Sequence, residues 1–196
     1  MARIINNFQT VDRFITGTVG EPGERAFFIQ ARSGTNLVTI AIEKSQAVAL
    51  VERLQVLLKE IRKNNKLSPL SDFSDAGRLD DQPLESPITE DFRAGIMAIT
   101  WLNAEEKVMI EAQAISEQLV INDLGDLDED GDPKLIPDDD LEGPDLLRVR
   151  LTLSQIKVFV VRTLAVVDAG RQPCTFCALP IDPSGHLCPR ANGYRR

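Results

Sequence analysis

The sequence predicts an α+β domain: one antiparallel sheet made of two strand-rich half-repeats, each closing in a helix, with both helices on one face and a cysteine-bearing tail behind them. Three observations carry this. Runs with apolar residues at every second position mark strands, and two runs with apolar residues three and four apart mark amphipathic helices. The two strand-to-helix passages also echo each other. VTIAIEKSQAVALVERL at 38–54 superposes on LRVRLTLSQIKVFVVRT at 147–163 as strand, Ser-Gln, helix, and the pairs Phe14/Gly17 and Phe92/Gly95 open the two halves at one spacing. Pooling the strands in one sheet buries both helical stripes.

The elements follow in order. Residues 11–19 and 25–33 alternate as strands around Pro22-Gly23, a pair that suits a type II turn. A second turn at 33–36 leads into a strand at 37–43. Ser45 is the expected N-cap of a helix of about five turns, with Ala47, Leu50, Val51, Leu54, Leu57, Leu58 and Ile61 on its apolar stripe. Residues 64–90, with Pro69, Pro83 and Pro87, read as an exposed linker. A hairpin of 92–102 and 107–115 turns at 103–106. The strand 146–153 points Leu147, Val149, Leu151 and Leu153 one way and Arg148, Arg150 and Thr152 the other, leaving those arginines on the exposed face. Ser154 then caps a second, more apolar helix to about Ala169. The division is a domain at 1–169, with half-repeats at about 8–63 and 91–169, and a tail at 170–196.

Charge is unevenly spread. Residues 122–145 hold nine Asp and two Glu against one Lys, a local charge of −10 within a total of −8, so the rest of the chain sits near +2. Asp80-Asp81 and Asp138-Asp139-Asp140 read as solvated loop charges. A broad basic face for nucleic acid is absent. No apolar run approaches the roughly 20 residues that span a bilayer, and the first residues lack a signal peptide's apolar core. The expectation is a soluble, cytoplasmic protein with no membrane partner.

Every cysteine and the one histidine fall within CTFCALPIDPSGHLC, residues 174–188. Cys174 and Cys177 form a knuckle in which two thiols chelate one ion, and His186 and Cys188 return two more ligands after a Pro- and Gly-bearing loop. Three thiolates and an imidazole are a tetrahedral zinc set. Three cysteines cannot all pair and a reducing compartment disfavours disulfides; a redox bridge between Cys174 and Cys177, with no thioredoxin-like βαβ unit around it, and free thiols are the lesser alternatives. Pro173-Cys174-x-x-Cys177 imitates half of the nucleobase deaminase signature, but no His-x-Glu exists to supply the proton shuttle. With four protein ligands no position is left for water, so the zinc is expected to be structural. The tail's own hydrophobes, Phe176, Leu179, Ile181, Leu187 and Tyr194, are too few to offset ordering costs of about 1–2 kcal/mol per residue; metal binding worth about 10–16 kcal/mol can.

The run CTFCALPIDPSGHLCPRANGYRR resembles the C-terminal signature of an actinobacterial-type family of uncharacterised proteins, a domain of unknown function. The strand and helix before it and the EPGER turn fit as well, so the resemblance covers most of the chain. Ala178, where Gly is common in such knuckles, is a departure that leaves the ligands untouched. The resemblance implies no activity.

Other features weigh less. Asp126, Asp128, Asp130 and Gly131 copy the first half of an EF-hand loop, but Pro133 and Pro137 spoil the second, and a solvated acidic loop is the better reading. Gly17, Gly20 and Gly23 lack the dinucleotide-binding spacing. Past Cys188, the residues Arg190, Tyr194, Arg195 and Arg196 leave the knuckle as candidate partner contacts. The leading expectation is a non-enzymatic interaction or regulatory protein with a structural Cys3His zinc site and a protein partner. The alternatives are a metal-dependent phosphoester or nucleotide enzyme using carboxylates of the main domain, and a nucleic-acid binder acting through the basic tail.

Overall fold

The computed structural model describes residues 3–64, 80–116, 135–170, 174–177, 181, 185 and 188–190. Seven strands form one sheet: β1 (Ile5–Phe8), β2 (Arg13–Val19), β3 (Ala26–Ser33), β4 (Asn36–Ile42), β5 (Phe92–Leu102), β6 (Lys107–Ala114) and β7 (Leu146–Thr152). Helix α1 (Lys44–Lys63) follows β4, and helix α2 (Leu153–Asp168) follows β7. The class is α+β, as the periodicities predict.

The sheet is mixed rather than wholly antiparallel. Its order is β1-β7-β6-β5-β4-β3-β2, with β1 parallel to β7 and β4 parallel to β5. The parallel join at β4–β5 is short: α1 and the residues after it return the chain so that Phe92 and Arg93 enter beside Ile40 and Ala41. Strand β1 is missed in the sequence; four residues reading INNF show no alternation to detect.

Consecutive strands β1 and β2 lie at opposite edges of this sheet, joined only by residues 9–12. Five Cα steps reach at most about 18 Å, whereas six strand spacings in a flat sheet span about 29 Å. The sheet must therefore curl until its edges approach, forming an open barrel. Phe14, Ile29, Ile40, Met97, Ile110 and Val149, from six different strands, surround a void of about 10 Å³. That is scarcely room for one water, so the barrel interior is a packed core.

Both helices pack into this core from the concave side. Leu50, Leu54 and Leu58 of α1 and Ile156 and Phe159 of α2 join it, and the Phe14 and Phe159 rings stack with centroids 4.6 Å apart. Thr163 donates to the Phe159 carbonyl at 2.7 Å, so at 2.9 Å from Thr16 it must accept that hydroxyl's proton. Each helix begins earlier than expected. The N-caps are Glu43 and Thr152, not Ser45 and Ser154. The reason is a glutamine three residues on, which accepts from the cap's own backbone N–H: Gln46 Oε1 from Glu43 at 2.8 Å, and Gln155 Oε1 from Thr152 at 2.9 Å. Each glutamine then spends its amide protons on the barrel. Gln46 reaches the Ala94 and Gly95 carbonyls at the bulge of β5, and Gln155 reaches the Val11 carbonyl between β1 and β2.

Two segments read as solvent-exposed are straps against the barrel's outer face. Residues 80–90 cross β2 and β3. Leu84 is buried so closely over Gly17 that a Cβ there would lie 2.5 Å from its Cγ. The buried Gln30 holds this strap through both backbone groups of Glu85, accepting from its N–H at 2.7 Å and donating to its carbonyl at 3.0 Å. The second strap, the return limb of the acidic loop, is held in the same manner: Gln113 accepts from Ile136 N–H at 3.0 Å and donates to its carbonyl at 2.7 Å. The acidic residues 117–134, including the partial EF-hand match, lie outside the described residues.

An arginine–aspartate fork fastens each strap. Arg13 grips Asp80 at 2.5 and 2.9 Å, and Arg148 grips Asp138 at 2.7 and 3.0 Å while its Nε meets Glu111 at 2.7 Å. Neither Asp80 nor Asp138 is a free loop charge, and Arg148 is not an ordinary surface arginine. The Arg13 hydrogen bond holds the Asp80 carboxyl below the usual range, and Arg148 does the same for Asp138. Arg162 of α2 donates to the carbonyls of Thr16 at 2.8 Å, Gln82 at 2.7 Å and Asp80, tying helix, edge strand and strap together.

Candidate metal centre

Five residues past α2 the chain enters a tight turn at Cys174–Cys177. Its first thiol is anchored by the backbone, since Phe176 N–H donates to Cys174 Sγ at 3.4 Å. Cys188 returns to the same spot, 3.8 Å from Cys174 sulfur to sulfur, and the three Sγ atoms all lie within 4.8 Å of one another. Cys174 and Cys188 are buried and Cys177 is half-buried. Arg190 closes the turn, donating from Nη1 to the Phe176 carbonyl at 3.1 Å, and Phe176 is 64% exposed.

The spacing tests two chemistries. A disulfide needs its sulfurs about 2.05 Å apart, and all three cysteines are free. A tetrahedral zinc with bonds of about 2.3 Å would hold its sulfurs about 3.8 Å apart. The observed separations fit an ion shared between thiolates. Backbone N–H groups of Phe176, first, and Cys177 lower the Cys174 thiol to about 7, because they stabilise the thiolate they point at. That is the protonation state a metal requires.

Three of the four expected ligands thus come together, and three cysteines this close can hold a metal ion. His186 lies outside the described residues, as do Tyr194, Arg195 and Arg196. Of the expected partner contacts only Arg190 is described, and it is spent at least in part on shaping the turn. The carboxylates of the main domain gather no comparable set: among the described residues, the cysteines form the only group of three or more His, Cys, Asp or Glu donors with metal-sharing spacing. None of the described helices is long and apolar enough to cross a bilayer.

The family model described as "Protein of unknown function (DUF3090)" matches residues 6–188, from the first barrel strand to the last cysteine. The chain belongs to this family. The DUF3090 match thus embraces barrel, straps and cysteine turn as one unit. No curated protein and no solved structure matches the chain.

Proposed function

We propose that this is a non-enzymatic interaction or regulatory protein whose C-terminal segment is ordered by one structural zinc ion. Cys174, Cys177 and Cys188 supply three thiolates, and His186 supplies the fourth ligand. The observation that carries the reading is the convergence of three thiols within 4.8 Å at the end of a chain whose core is complete without them. Zinc is the ion of choice because it takes mixed sulfur and nitrogen donors in a closed tetrahedron and brings no redox chemistry. Reduced thiols held as ligands also suit a cytoplasmic setting.

In this reading the chain divides into a barrel at 1–169 and a tail at 170–196. The two strand-strand-strand-helix units are half-repeats, supported by the equivalent work of Gln46 and Gln155. The metal's part is to fold the tail into a knob from which the Phe176 ring and the following arginines meet a protein partner.

Metal content and cobalt substitution test the site. One zinc per chain is expected, and the cobalt form should show the intense visible bands of a tetrahedral thiolate site. Cys174→Ser should lose binding, and His186→Ala should shift the bands toward a solvent-bearing centre. A purified chain with three reduced cysteines that takes up no zinc defeats the proposal. Affinity purification of wild type beside Cys174→Ser tests the partner, which should be lost with the metal.

A further inference from the structure

The two helices leave the barrel from one end, where β4 and β7 finish. The opposite end is different. Strands β1, β4, β5 and β7 run the same way and all begin there, and between their starts lies a depression of about 350 Å³. Its floor is apolar, made by Val38 and Phe92, and its rim carries Asn6, Asn36, Asp91 and Asp145. Strand alternation shows that this is the mouth of the barrel. Asn6 shares the inward phase with Phe8, Asn36 with Val38, and Asp145 with Leu147, so each inward row changes from apolar to polar as it reaches this end.

The polar groups are positioned yet incompletely used. Asp91 Oδ2 accepts from Thr39 N–H and Asp145 Oδ1 from Ile4 N–H, both at 2.7 Å, so backbone donors fix both carboxylates. Their second oxygens, and the side-chain amides of Asn6 and Asn36, have no hydrogen-bond partner among the described residues. Among the described residues, no Lys or Arg lines the depression. Asp91 and Asn36 are exposed and Asn6 and Asp145 half-buried, and these polar groups rim an apolar floor in a depression whose volume lies within the roughly 300–1,000 Å³ usual for ligand sites.

We propose that this mouth binds a small hydroxylated amine of about monosaccharide size. Its ammonium sits against the free oxygen of one of the two carboxylates, Asp91 or Asp145, where charge-assisted hydrogen bonds are strongest. Its hydroxyls pair with the Asn6 and Asn36 amides, which donate and accept, and its carbon skeleton covers Val38 and Phe92. The absence of lining cations argues against a phosphate or carboxylate ligand. A bare divalent ion is disfavoured because neither Asp91 nor Asp145 belongs to a group of three donors at sharing distance among the described residues. The inference is independent of the zinc site.

The test uses the full zinc-loaded chain and glucosamine as probe, with glucose as its neutral counterpart, followed by amide chemical shifts at about pH 6, where the probe's amine is protonated. Glucosamine should move the signals of Asn6, Asn36, Phe92 and Asp145 with saturation, and glucose should bind at least about tenfold more weakly. Asp91→Asn with Asp145→Asn keeps an oxygen for each backbone donor and should cost about tenfold or more. Asn36→Leu, which fills the mouth without touching either carboxylate, should block binding while unchanged strand signals show the barrel intact. Glucosamine leaving the mouth signals still at concentrations on the order of 50 mM, or moving them no more than glucose does, overturns the proposal. Chelation of the zinc should leave the binding unchanged, so failure here and failure of the metal site are read separately.

Discussion

The barrel and the cysteine turn solve the same problem with different means. Ordering a residue costs about 1–2 kcal/mol wherever it happens. The barrel meets that cost with interior side chains such as Leu54, Val108, Leu151 and Ile156, all wholly buried, each worth about 1.5–3 kcal/mol. The turn at 174–177 has one buried cysteine, Cys174, beside a half-buried Cys177 and an exposed Phe176, with the buried Cys188 returning to it, and its backbone bonds are few. What it has is a chelating geometry. One region is held by many weak, non-directional contacts and the other by a few strong, directional ones, and the two should therefore fail under different insults.

Removing the metal is expected to have the largest effect, because metal binding in small sites is worth about 10–16 kcal/mol. A strong chelator should abolish amide protection in residues 170–196 while the barrel's melting temperature and far-ultraviolet dichroism stay constant. A single cooperative loss of the whole fold would erase the distinction between the two regions. Leu54→Ala is the converse insult. It should destabilise the barrel by about 2–5 kcal/mol in a urea melt while the folded fraction still binds one metal.

The straps sharpen the comparison within the barrel itself. Gln113→Ala strands the N–H and carbonyl of Ile136 and should cost about 1–3 kcal/mol, seen as faster hydrogen exchange at Ile136 before any loss of strand signals. Gln30→Ala should act likewise on Glu85. The smallest effect is acid sensitivity. Asp80 and Asp138 titrate lower in the folded chain than in the unfolded one, so the unfolded chain binds more protons at mildly acid pH. The stability they contribute is complete above the unfolded value of about 3.9 and is lost as pH falls through their folded values. Asp80→Asn should flatten that acid limb, and a limb of unchanged slope would remove the forks from the account.

Much of this was readable in the chain. The alternation of Phe27, Ile29 and Ala31 or of Leu147, Val149 and Leu151 is local, and so is the stripe from Ala47 to Ile61. The cysteines announce themselves because soft donors at chelating spacing have few other uses. The true helix caps were readable too: Thr152 and Gln155 stand at capping-box spacing, and the Ser-Gln echo drew attention to the wrong partner of the glutamine. Gln30 and Gln113 carried no such signal. Each is one polar residue in a strand, and what makes it a clasp is a backbone segment arriving from more than 20 residues away.

By itself, then, the amino-acid sequence determined the elements, their apolar faces and the metal-ligating residue types, since these depend on neighbours a few positions apart. Only the tertiary structure decided that β1 closes the sheet against β7, that two apparent loops are straps, and that a depression opens where β1, β4, β5 and β7 begin. Those features arise where distant segments meet in space, and the free energy that selects them belongs to the assembled surface rather than to any one stretch of chain.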